Sequence, residues 1–405
     1  MAEVDARVAF VTQQPSRARA DATTSVAVEV AAGARLAEIQ MEWRDLIVRA
    51  DVANIFMHPV LIALSACYPD SRSRALLVWQ NSPGRRRLAG FWAFNAGRAP
   101  RSIIPLSALA APPFAQAYLA SPVIDRDLLD ETLQAMLDHI AADPSLPNVV
   151  ALDAMRDDGA TTQALMRVLA ARGSAPAILR RFRRPMLASK LDAKQYMESA
   201  LSASRRKKLR QHRRRLAEKG TLESTIISEP EAVGRALEDF LRLEAAGWKG
   251  RKRTALLSNP PDATFAREMV TALAPLGEAW IHALTLDGRT VSMQIVLRAG
   301  TTAFTWKTTY DETLHDFSPG MLLFEDYTAA LLADPGITCV DSCSYDDSSF
   351  MASWSERQPM AEMWIDARRG GSATFAHLSR LQAVYLRLRA QAKAAYRAGA
   401  RRETA

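Results

Sequence analysis

Between residues 290 and 297 apolar and polar positions alternate: Val291, Met293, Ile295 and Leu297 against Ser292, Gln294 and then Arg298. That period of two predicts a strand with one buried face. Asp287-Gly288 stands just before it, after the apolar run Ala279–Leu286, so the two strands should form a hairpin. A third strand is expected at 302–308, a helix at 319–332 and a further strand at 337–341. Phe324, Tyr327 and Leu331 fall on one side of that helix. The first half repeats the order, with strands at 75–80 and 88–94 around Pro83-Gly84, a helix at 126–141 and a strand at 148–153. Helices are expected ahead of each unit, at 34–49 in the first half and at 193–219 and 231–243 in the second. A last helix is expected at 374–398. Two copies of one topology are thus predicted, with the boundary near residues 187–192.

Composition adds limits. The 405 residues, 48% hydrophobic and 24% charged, are enough for two domains of a soluble globular protein. Three cysteines (Cys67, Cys339, Cys343) are too few for a disulfide framework, which fits a reducing, cytoplasmic setting. Cys339 and Cys343 lack a matching second pair, and no two of the six histidines share a ligand-like spacing, so no metal is expected. Residues 1–25 lack a signal-peptide apolar region and read as a flexible leader. The uncharged stretch 103–124 is long enough to span a bilayer, but Pro105, Pro112, Pro113 and Pro122 rule against one helix. A buried strand and loops are expected there.

The net charge of +8 sits in one place. The run Arg205 to Arg215 holds eight Lys/Arg, and without them 52 − 8 = 44 basic residues face 44 acidic ones. Charge runs are usually solvated helix faces. This one also suits a polyanion: a phosphate-bearing ligand, an anionic lipid surface, or RNA.

Candidate chemistry gathers between Phe304 and Gly320. An aromatic strand runs into a polar loop, and Ser318-Pro319-Gly320 opens the next helix. Ser is a preferred N-cap and Pro fits the first helical position. Such a helix start directs free N–H groups and a partial positive charge at the strand end, and Gly320 leaves room for a phosphate.

These residues carry a resemblance. The blocks Ser204-Arg205-Arg206-Lys207-Lys208-Leu209-Arg210 with Arg215-Leu216 and Gly220, Leu243-Glu244 with Gly247-Trp248-Lys249-Gly250, the Asp287-Gly288 hairpin, and Trp306-Lys307 through Tyr310-Asp311 to Ser318-Pro319-Gly320 follow in order, with Asp341 and Trp354 beyond. Together they resemble the CelD-like acetyltransferases associated with cellulose biosynthesis, a branch of the GNAT acyl-CoA acyltransferase superfamily. The FemAB-type aminoacyl transferases are more distantly similar. Two departures stand out. The superfamily's Gln/Arg-x-x-Gly-x-Gly/Ala loop is replaced by Ser318-Pro319-Gly320, and an aromatic–Lys pair of related sequences reads Phe350-Met351.

The resemblance implies an α/β (α+β) fold of two tandem GNAT-like domains, each a mixed, mostly antiparallel sheet flanked by helices. A degenerate domain would span 26–190, the acyltransferase domain 191–373, and a helix and tail 374–405. It further implies direct transfer from acetyl-CoA or another acyl-CoA to an amine or hydroxyl of a small-molecule, sugar or lipid-precursor acceptor. Trp306, Lys307, Thr308, Ser318, Pro319, Gly320 and Met321 would bind the cofactor. Glu244 is the first candidate base, with Asp311, Tyr310 and Asp341 as further catalytic candidates, and Trp248, Lys249 and Tyr345 would meet the acceptor. Two alternatives remain: an aminoacyl-tRNA-dependent transferase, and a non-catalytic protein docking on nucleic acid or membrane through Arg205–Arg215.

Overall fold

A computed structural model describes residues 25–345 and 350–403, with side chains as far as Ala392. The leader expected at 1–25 therefore lies almost wholly outside the described residues. Among the described residues thirteen strands form one sheet: β1 (Ser25–Ala31), β2 (Ser73–Ser82), β3 (Arg85–Arg98), β4 (Ser107–Ala111), β5 (Val123–Ile124), β6 (Val149–Arg156), β7 (Ala177–Leu187), β8 (Leu222–Ile227), β9 (Ala279–Leu286), β10 (Arg289–Ala299), β11 (Thr302–Tyr310), β12 (Cys339–Asp341) and β13 (Glu356–Asp366). Their spatial order is β1-β2-β3-β4-β6-β13-β7-β12-β11-β10-β9-β8, with β5 beside β3.

The order reads alike from both ends. Three antiparallel pairings lead inward to one parallel pairing, β4 with β6 on one side and β11 with β12 on the other. Each parallel pair is joined by a crossover containing a helix, Leu129–Ala142 or Pro319–Ala333, as parallel strands require. The duplicated topology is thus present. At the centre the halves trade strands: β7 pairs with β12, and β13 pairs with β6 as well as β7.

Local chemistry explains most elements. Asp287 and Gly288 both take positive φ (51° and 74°), as the tight hairpin demands, and the Asp287 carboxylate also accepts from Thr221 N–H at 2.7 Å. The helix from Pro230 to Ala246 buries Val233, Leu237, Phe240, Leu241 and Glu244 along one face against the sheet. The stretch 103–124 becomes β4, β5 and loops.

Three expectations need correction. The predicted helix at 193–219 is two helices, Ala193–Ala200 and Ala203–Ala217, because Ser202 turns extended and caps the second through Arg205 N–H. The helix at 34–49 breaks at Ile39 into two. Ser318 precedes the Pro319–Ala333 helix in the left-handed region (φ 50°, ψ 51°), and its side chain makes no cap bond. Its backbone carbonyl takes the N–H groups of Met321 (2.9 Å) and Leu322 (3.2 Å) instead.

Candidate functional site

The pairing of β11 with β12 ends at Phe304 opposite Asp341, yet β11 runs on to Tyr310. Beyond Phe304 the two strands part, and a wedge opens between residues 305–310 and the chain after Asp341. A bulge sits at its throat. Val296 pairs with Thr305 and Ile295 with Lys307, which leaves Trp306 as the extra residue. Bulges re-aim side chains, and here two turn toward the first half of the chain. Trp306 Nε1 donates to Gln116 O at 2.9 Å, and Lys307 Nζ donates to the Tyr118 hydroxyl at 2.7 Å.

The wedge holds an unusual density of buried polar groups. Lys307 lies over the rings of Tyr118 and Trp306, its nitrogen 5.3 and 5.5 Å from their centroids. Burial pulls its ammonium below the ordinary lysine range, opposed by the charges of Glu244 and Asp262. Tyr118 is pushed upward by burial and by nearby anions. Glu244 is 2% exposed and both its oxygens are taken, Oε1 by Lys249 Nζ (2.8 Å) and Oε2 by Leu256 N–H (2.8 Å). Lys249 Nζ also donates to Thr308 O at 2.7 Å, so a cation caps a carbonyl of β11 inside the wedge. Burial lowers Lys249 too, with Glu244 opposing.

Asp341 closes the far side. It accepts from the buried Arg184 guanidinium at 3.1 Å and from Cys343 N–H at 2.7 Å, which fixes the turn leaving β12. Tyr345 follows, stacked on Phe182 (5.8 Å) and 6.0 Å from Tyr118.

The other predicted residues fall nearby. Tyr310 packs beside Gly320: a methyl added at Gly320 would lie 3.6 Å from the Tyr310 ring. Asp311 accepts from Thr313 N–H (2.9 Å) and pairs with Arg289 (3.0 Å), so it holds the loop. Trp248 is 43% exposed at the rim, with Lys252 Nζ 5.1 Å from its ring centroid. Its N–H donates to Glu312, which also receives Arg251.

The basic helix Ala203–Ala217 lies against the start of the Pro319–Ala333 helix. Arg213 donates to Leu322 O (3.1 Å) and pairs with Asp326 (2.6 Å), while Arg215 and Lys219 cover the Phe317 ring. Arg205 reaches Met321 Sδ at 4.0 Å. Arg205, Lys207, Lys208, Arg210, Arg214 and Arg215 are exposed, so a cationic face adjoins Ser318-Pro319-Gly320. At the starts of β11 and β12, the end away from the wedge, a cavity of about 400 Å³ is lined by Asp51, Leu119, Arg126 and Arg156 together with Thr302, Phe304, Cys339 and Asp341. Both halves wall it.

Tyr118 and Arg184 were not anticipated. Tyr118 is the lone tyrosine of the uncharged stretch 103–124, and a phenol among apolar residues was the available signal. Arg184 is one of five arginines within residues 180–184 and 172, with nothing in the sequence to single it out.

Residues 203–348 match the family model described as an acetyltransferase (GNAT) domain. That span holds the wedge, the basic helix and the Pro319–Ala333 helix. No curated protein matches the sequence. Among solved structures the chain is similar to FemX, at 12% identity and TM-score 0.56 over 80% of this chain and 95% of that one. It is similar as well to the C-terminal domain of a putative lysylphosphatidylglycerol synthetase from Agrobacterium fabrum (15% identity, TM-score 0.49, 87% and 97% covered). A tandem GNAT protein from the clavulanic acid biosynthesis pathway matches at 14% identity and TM-score 0.40, with 85% and 99% covered. At such identities the likeness to FemX shows the fold: a GNAT-like arrangement of a mixed sheet flanked by helices.

Proposed function

We propose that the protein is an acyltransferase that takes its acyl group from acyl-CoA and passes it directly to an amine or hydroxyl. The observation that carries this reading is the wedge between β11 and the chain after β12, with the start of the Pro319–Ala333 helix beside a cationic helix. A long, thin donor with a phosphate end and a carbonyl end suits that shape. Its thioester carbonyl would lie along β11, where the Lys307 ammonium and backbone N–H groups offer donors to the developing oxyanion. The acceptor's nitrogen or oxygen bonds to the carbonyl carbon, the carbon–sulfur bond breaks, and the acceptor's proton ends on the departing thiolate. No covalent enzyme intermediate is needed.

Glu244, in this reading, positions Lys249 and so shapes the edge of β11. Tyr118 and Tyr345 line the route by which a proton reaches the leaving group. The first half is a degenerate copy of the unit, and its part is to wall the wedge through Gln116 and Tyr118, where the acceptor, a small molecule, sugar or lipid precursor, meets the donor. The narrower likeness to the CelD-like branch rests on the sequence blocks alone.

A second reading is favoured by the extent of the cationic surface. The exposed residues of the basic helix, together with the exposed Arg251, Lys252 and Arg253, offer more charge than one CoA requires. An aminoacyl-tRNA donor would use it. Thermal stability measured with acetyl-CoA and with longer acyl-CoAs tests the first reading, since a bound donor raises Tm. Gly320→Asp should abolish the rise. No rise with any acyl-CoA at millimolar concentration, combined with salt-sensitive tRNA retention, would transfer the assignment to the second.

A further inference from the structure

The last helix, Ala373–Glu403, is anchored along one face only. Phe375, Ser379 and Gln382 are buried, and Phe375 joins Ala99, Ala108, Ala110 and Trp364. Gln382 accepts from Ile103 N–H at 3.2 Å and donates to Arg101 O at 3.1 Å. On the other side Leu381, Val384 and Leu388 are exposed by 59%, 51% and 59%. Their spacing of three and four places them within about 60° of one another on a helix turning roughly 100° per residue. From Arg387 to Ala392 every residue is exposed, so the helix leaves the body of the protein there.

Its charge is one-sided. Between Arg380 and Glu403 the chain carries seven Lys/Arg (380, 387, 389, 393, 397, 401, 402) and one acid, Glu403, a net of 7 − 1 = +6. On the helical wheel Arg380 and Arg387 flank the apolar stripe on one side and Arg389 on the other. Cations bordering an apolar stripe are what a helix needs to lie in a headgroup layer, with leucines below and arginines at phosphate level. Among the described residues no helix is long and apolar enough to cross a membrane.

We propose that this helix seats the protein on an anionic phospholipid surface, lying in the interface plane. A second copy of the chain is a poorer occupant. It would bring two helices of like charge together, and three exposed side chains fall far short of the roughly 800 Å² per partner of a stable interface. Nucleic acid would answer the charge and leave the stripe without a use.

The test is co-sedimentation of the full chain with vesicles of phosphatidylcholine, or of phosphatidylcholine with about 30% phosphatidylglycerol. Binding to the anionic vesicles alone is expected, weakening with salt. Replacing Leu381, Val384 and Leu388 by Ser should reduce it by about tenfold or more, and Arg387→Gln or Arg389→Gln by about fivefold each. All these positions are exposed, and an unchanged Tm verifies folding. Lys207→Gln/Lys208→Gln in the basic helix should matter less than the triple replacement. Failure to bind anionic vesicles at low salt overturns the proposal. So does binding indifferent to the stripe, or a dimer in sedimentation that the triple replacement dissolves.

Discussion

Glu244→Gln separates a structural ion pair from a catalytic base. In the wild type the carboxylate meets Lys249 Nζ at 2.8 Å, is 2% exposed and accepts Leu256 N–H. The replacement keeps the shape and removes the charge, so the half-buried ammonium of Lys249 loses its counter-ion. Breaking a buried pair from one side costs about 3–5 kcal/mol, and the retained amide oxygen puts the expected loss near the lower end, about 3 kcal/mol. With about 2.1 cal/mol/K of unfolding entropy per residue, the 405 residues give roughly 0.85 kcal/mol/K, so Tm should fall by about 3–4 °C. Glu244→Gln/Lys249→Met removes both charges and should recover most of that fall. Differential scanning calorimetry of these three proteins and of Lys249→Met completes the cycle. A Tm within about 1 °C of wild type, with kcat/KM reduced by about a hundredfold or more, would refute the reasoning and return Glu244 to the role of base.

Three further outcomes are expected. Tyr118→Phe, in the first half of the chain, should lower acyl transfer by about tenfold or more while leaving the far-ultraviolet spectrum unchanged; full activity would remove the first half from the site. Gly250→Ala has no room, because the new methyl would fall 1.8 Å from Ala245 O, so the turn carrying Lys249 must shift and stability should drop by about 1–3 kcal/mol; a neutral result by urea denaturation would contradict the packing. Glu278, 3.3 Å from the buried His58, has its carboxyl raised to about 7 by burial, so the stability it contributes is full below pH 4.5 and is lost as pH rises through about 7. Glu278→Gln should therefore gain Tm relative to wild type between pH 5 and pH 8, and parallel curves across that range would count against the assignment.

Much of the outer fold was legible because its determinants are local. Asp287-Gly288 sets a hairpin by its own backbone preference, and Pro319 opens a helix by its fixed φ. The place of Lys307 beside Trp306, in a strand leading to that helix, was legible for the same reason. What stayed hidden was non-local. The Trp306 bulge depends on how β10 and β11 slide past one another, and Tyr118 reaches Lys307 across 189 residues of chain. Ser318 has the composition of a cap, but the left-handed backbone there turns its side chain away from the work. The ion pair of Glu244, the first candidate base, stayed hidden because the Leu256 N–H and the Lys249 ammonium arrive only with the tertiary fold.

The exchange of β7 and β13 has a mechanical consequence. Each half completes its sheet with a strand borrowed from the other, so a hinge between the halves would have to tear ladder hydrogen bonds from β6 to β12. Rotation of two lobes would break that ladder, so the shared central strands hold the contacts of Trp306 with Gln116 and of Lys307 with Tyr118 as parts of one sheet rather than of a cleft between two bodies.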